Sequence, residues 1–140
     1  MKKFKNILAW IAGIVIGSLV NMALISVSGK IIPLPEGVDN KTTEGLAAGI
    51  HLFEPKHFIF PFLAHALGTL AGAFIATKLS RPQKIYSPLI IGVVFLAGGI
   101  AMVLQLPAPM WFNITDLVMA YLPMAYLGFV LGKDKSSSAT

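Results

Sequence analysis

His65 and Asp116 are the two residues of this chain that place acid–base chemistry inside apolar sequence. His65 stands in PFLAHALGTLAGAFIAT (61–77), and Asp116 in NITDLVMAYLPMAYLGFVL (113–131). An ionisable group within such a run is costly, and its default reading is functional. A carboxylate against an imidazole fixes the ring's tautomer. That pairing suits a proton relay, a general base or part of an ion site. Two plainer accounts compete with it. One is a hydrogen-bonded pair that joins two helices. In the other, Asp116 is a first-turn acid at a helix N-terminus, with Asn113 three residues earlier as the cap.

Other polar groups extend the candidate cluster. Asn21 interrupts the first apolar run, and Glu44, His51, Glu54 and His57 fall in the polar segment between the first two runs. His51, Glu54, His57 and His65 offer nitrogen and oxygen donors of the kind zinc accepts. Their spacing is not HExxH, and Pro55 breaks any helix that would align the first three. His51 and His57 read equally well as interfacial residues with their polar edges in water. We therefore assign no catalytic residue, no metal ligand and no cofactor from the sequence. There is no cysteine, which removes disulfides and thiolate chemistry. No P-loop, GxGxxG or nucleophile elbow occurs.

The elements that must position these groups follow from composition. Of 140 residues, 56% are hydrophobic and 12% charged, against about 25% charged in a soluble domain. The bilayer is the expected solvent. The net charge of +5 sits at the ends of apolar runs rather than on one basic face, which gives no support to nucleic-acid binding. The expected fold is an all-α four-helix transmembrane bundle in one domain, 1–132, with spans near 7–27, 60–78, 87–106 and 113–132. The first run is longer than the roughly 7–15 residues of a signal-peptide core and is read as a span. Pro33, Pro35 and Gly37 mark a loop. Thr42 or Thr43 can then cap a short amphipathic helix ahead of Pro55, on the extracytoplasmic side. Pro123 should kink the fourth span. The tail 133–140 reads as disordered and cytoplasmic.

Small residues recur at four-residue intervals: Gly13 and Gly17 in the first span, and Ala64, Gly68, Gly72 and Ala76 in the second. Such stripes let helix backbones approach closely. The basic residues set the orientation. Lys2, Lys3, Lys5, Lys78, Arg81, Lys84, Lys133 and Lys135 fall on one side, and Lys30, Lys41 and Lys56 on the other. By the positive-inside rule both termini are cytoplasmic, in a plasma or bacterial inner membrane. The intramembrane polar groups then share the outer half of the bundle.

Three function classes fit. The first is a binding or transport module for a proton, cation or small polar or lipid-like solute. The second is an accessory subunit, with a second copy or a larger membrane complex as partner beside the bilayer itself. The third is a membrane enzyme acting on a lipid-like substrate through a His/acid pair.

Overall fold

The computed structural model describes residues 1–135; positions 136–140 of the expected tail lie outside the described residues. The chain is all-helical there. Its six α-helices are α1 (Lys2–Ile31), α2 (Thr43–Gly49), α3 (Ile59–Leu79), α4 (Tyr86–Gln105), α5 (Met110–Met119) and α6 (Leu122–Gly132). Four stretches are long and apolar enough to cross a membrane: Lys2–Ile31, Pro55–Leu79, Tyr86–Gln105 and Met110–Gly132. α1 overruns the expected span at both ends. Its 30 residues reach about 45 Å at about 1.5 Å per residue, with lysines at each end.

α3 is the central element, because small residues line two of its sides. Toward α1 it presents Gly68 and Gly72. A Cβ added to Gly72 would lie 2.5 Å from the Gly13 carbonyl oxygen, and one added to Gly17 would lie 2.6 Å from the Gly68 carbonyl oxygen. Backbone therefore meets backbone along this seam, with Ala64 and Ala76 fully buried beside it. Toward α6, α3 presents Ala73 and Thr77. Gly128 and Gly132 of α6 sit against them, and a Cβ on Gly128 would come 2.7 Å from the Leu70 carbonyl oxygen. Gly92 of α4 admits Ala125 of α6 in the same way. Ala73, Ala76, Ile91 and Ala125 form the core between these seams, flanked by Trp10, Ile14 and Phe95.

The end that carries the start of α1 and the residues just after α6 is fastened by polar contacts. Trp10 Nε1 donates to Ser87 Oγ at 3.1 Å, and the Arg81 amide donates to Asn6 Oδ1 at 2.9 Å. Lys78 pairs with Asp134 at 3.1 Å, and the Asp134 amide donates to Gln83 Oε1 at 2.9 Å. At the opposite end, Thr42 caps α2 by accepting the Gly45 amide at 3.0 Å. After α2, short 3₁₀ turns at Ile50–Leu52 and Pro55–Phe58 lead into α3. Phe58 packs on Trp111 and Phe112, which ties this segment to the start of α5.

The fourth apolar stretch is not one kinked helix. It is two helices, interrupted at Ala120–Tyr121. Pro123 is the second residue of α6 and has no N–H. The Met119 carbonyl therefore loses its partner four residues on, and the break falls ahead of the proline.

Candidate functional site

The interruption of the fourth stretch sets the geometry of the site. Asp116 lies in the last turns of α5, and Tyr121 follows directly after the break. His65 faces them from α3. Its Nδ1 is 2.8 Å from Asp116 Oδ1 and 3.0 Å from Oδ2. The Tyr121 hydroxyl donates to Oδ2 at 2.9 Å. Both carboxylate oxygens are thus engaged. The tyrosine ring stacks on the imidazole at 5.7 Å between centroids. Gly99 of α4 makes room for this ring, because a Cβ there would collide with the Tyr121 phenol. The Asp116 side chain is 5% exposed and that of His65 is 25% exposed.

A carboxylate accepts hydrogen bonds, so Nδ1 carries the hydrogen and the ring turns Nε2 away from Asp116. Among the described residues, Nε2 has no hydrogen-bond partner. His65 also lines a cavity of about 320 Å³. The walls come from α1 (Gly17, Ser18, Asn21), from α3 (His65, Gly68, Thr69) and from α4 (Phe95, Gly98, Gly99), with Tyr121 behind.

Hydroxyls in this chain's helices mostly return to a carbonyl of their own helix. Ser26, Ser28, Thr77, Ser80 and Thr115 all do so, at 2.6–2.8 Å, a common way to satisfy such a group in apolar surroundings. Ser87 is held instead by Trp10. Ser18 and Thr69 do neither. The Thr69 hydroxyl is fully buried and bonds nothing. Ser18 and the Asn21 carboxamide also have no hydrogen-bond partner among the described residues. Ser18, Asn21, Thr69 and His65 line the same cavity. A buried polar group without a partner costs about 1–3 kcal/mol. Of these four residues Thr69 is buried, whereas Ser18, Asn21 and His65 are partly exposed.

The expected polar cluster is therefore divided. His65 and Asp116 meet, and Asn21 faces the same cavity. Glu44, His51 and Glu54 are exposed on the connecting segment and do not reach it. His57 is buried, but its ring is spent on that segment. The Glu54 amide donates to Nδ1 at 2.8 Å, and Nε2 bonds the Pro33 carbonyl at 3.1 Å. With both nitrogens occupied, His57 has no lone pair to give a metal. No group of three or more His, Asp or Glu converges to hold a metal ion among the described residues. Asn113 does not cap α5, which begins at Met110. Its side-chain amide donates to the Ala108 carbonyl at 3.3 Å. Asp116 is accordingly not a first-turn acid.

Three contributors escaped the sequence reading: Tyr121, Thr69 and Ser18. A tyrosine five residues after an aspartate is no motif, and it reaches the carboxylate only because the helix breaks between them. Thr69 does carry a signal, since it stands one helical turn after His65. Comparison with protein-family models, with curated proteins and with solved structures gives no match.

Proposed function

We propose that this chain is an integral membrane protein that binds, and in doing so can carry, a small solute in the cavity beside His65. In this reading the four stretches cross the bilayer with both termini cytoplasmic, by the distribution of lysine and arginine, and the cavity opens in the extracytoplasmic half. The observation that carries the proposal is the set of unbonded polar groups around one cavity. Within hydrocarbon, an unsatisfied polar group costs several kcal/mol. A ligand that meets the buried Thr69 hydroxyl together with the partly exposed Ser18, Asn21 and His65 around one space would satisfy them all.

The buried pair does the positioning. Asp116 and Tyr121 hold the imidazole plane, which leaves the unbonded Nε2 of this cavity-lining residue with one defined hydrogen-bonding direction. The interrupted fourth stretch supports the same reading, since non-helical backbone at membrane depth is usual where it borders a binding cavity. Dispersed polar groups, each satisfied within its own helix, would have favoured a purely structural subunit.

The test compares small molecules extracted from purified protein with those from His65→Leu, both isolated in mild detergent. A species that accompanies the wild type in fixed proportion and is lost from a folded His65→Leu is the expected result. Identical extracts from the two proteins would overturn the proposal.

A further inference from the structure

The chemistry of the cavity selects among solutes by charge. We infer that its occupant is an uncharged, oxygen-headed amphiphile, an alcohol or ketone on an apolar chain, that enters sideways from the bilayer between α1 and α4. The inference rests on the binding reading above and names the class of its ligand.

No lysine or arginine lines the cavity, and His65 is already paired with Asp116, so no unpaired cation meets a phosphate or sulfate head. Among the described residues Asp116 is the one carboxylate beside it. Both of its oxygens are already taken by His65 and Tyr121, and its side chain is 5% exposed. A cationic head therefore has no free anion to meet. Burying an ion without a partner is far costlier than burying a hydroxyl that is hydrogen-bonded. The groups left unbonded match an uncharged oxygen. The Thr69 and Ser18 hydroxyls donate or accept, the Asn21 carboxamide does both, and His65 Nε2 adds one more position.

Size and access agree. A cavity of about 320 Å³ is at the lower end of ligand pockets, roughly 300–1,000 Å³. It holds a head and the first part of a chain, and the remainder must leave through the mouth. Phe95 closes the side toward the termini: it lies against Gly17, where a Cβ would come 2.6 Å from its ring. Met22 of α1 and Met102 of α4 also border the cavity, and they are 63% and 38% exposed. Flexible thioethers make an adaptable apolar rim. Gly98 borders the same space, and nothing lies within 4 Å of its missing Cβ.

The experiment uses the full chain in lipid nanodiscs and a decanol carrying a photoreactive diazirine, with crosslinks mapped by mass spectrometry. Competitors share the decyl tail: decanol, 2-decanone, decyl phosphate and decyltrimethylammonium. Labelling should fall on Gly17–Met22, His65–Thr69 and Phe95–Met102. The two uncharged competitors should displace it at least about tenfold better than the charged pair, since an uncompensated buried charge costs more than the equivalent of one decade in affinity. Thr69→Val keeps the shape of the side chain and removes a hydroxyl that bonds nothing in the protein. It should weaken labelling about five- to tenfold, the usual effect of losing one hydrogen bond to a ligand, with thermal stability of the ligand-free protein unchanged or raised. Ser18→Ala gives a second reading of the same kind. Charged competitors that match or exceed decanol at these positions would overturn the inference and leave the binding site standing. Labelling that is spread over the surface, or indifferent to His65→Leu and Thr69→Val, would overturn both.

Discussion

Replacing Asp116 and His65 singly and together measures whether the site is held as one unit. Asp116→Leu removes the acceptor of two hydrogen bonds, from His65 Nδ1 at 2.8 Å and from the Tyr121 hydroxyl at 2.9 Å. Bonds to a charged group contribute about 1.5–3 kcal/mol each. The imidazole N–H and the phenol are left unpaired at a site where Tyr121 is only 2% exposed. The upper expectation is a loss of about 3–6 kcal/mol, the sum of two such bonds. Membranes lower this figure, because polar groups in the unfolded state also find partners there. Hydrogen bonds between transmembrane helices average about 0.6 kcal/mol and reach about 1.7. Two coupled bonds to a carboxylate should therefore cost about 2–3 kcal/mol in bicelles.

His65→Leu should cost slightly less, since Asp116 keeps the Tyr121 bond. The double variant leaves only the Tyr121 hydroxyl without a partner, so it should cost little more than either single. The coupling energy is then about 1.5–2 kcal/mol. Reversible unfolding of bicelle-embedded protein, by steric trapping or denaturing-detergent titration, gives all four stabilities. Additive losses, with coupling below about 0.5 kcal/mol, would refute the claim that the two residues act as a buried pair. A stabilised Asp116→Leu would do so more directly.

Adjacent glycines provide a matched contrast. Gly99→Ala should dislodge the Tyr121 ring and lower stability by about 1–3 kcal/mol, as overpacking does, whereas Gly98→Ala, with open space around it, should be neutral or slightly stabilising; thermal unfolding in detergent reads both. Gly13→Leu should force α1 from α3, because even a Cβ there lies 2.6 Å from the Gly72 carbonyl oxygen; loss of the folded monomer in mild detergent, seen by size exclusion, is the expected outcome. The chain has no cysteine, so single cysteines report topology cleanly. Lys41→Cys should react with an impermeant maleimide from outside intact cells, and Lys84→Cys only after permeabilisation.

The number of apolar stretches, their approximate ends and the positions of the glycine seams could be read directly from residue order. Hydropathy and four-residue spacing are properties of consecutive residues, and Gly13, Gly17, Gly68 and Gly72 carry them in their sequence. Gly128 and Gly132 have the same spacing and form a second seam against Ala73 and Thr77; that signal was present in the chain. The proximity of His65 to Asp116, 51 positions apart, could be posed from the sequence but not resolved. It depends on α5 and α6 packing beside α3, which follows from fitting helix surfaces together rather than from any local pattern. Tyr121 was hidden for a different reason: an unbroken helix would turn residue 121 well away from residue 116, and only the break before Pro123 lets its hydroxyl return to the carboxylate. The grouping of Glu44, His51, Glu54 and His57 with the buried pair failed because a histidine gives no local sign of what its nitrogens bond. The fold occupied both nitrogens of His57 with backbone and left Nε2 of His65, which lines the cavity, without a hydrogen-bond partner among the described residues. Order along the chain establishes which segments are long and apolar enough to cross a membrane. Which polar atoms stay unbonded, and what they face together, arises only when the helices pack, because hydrogen bonds are satisfied in three dimensions.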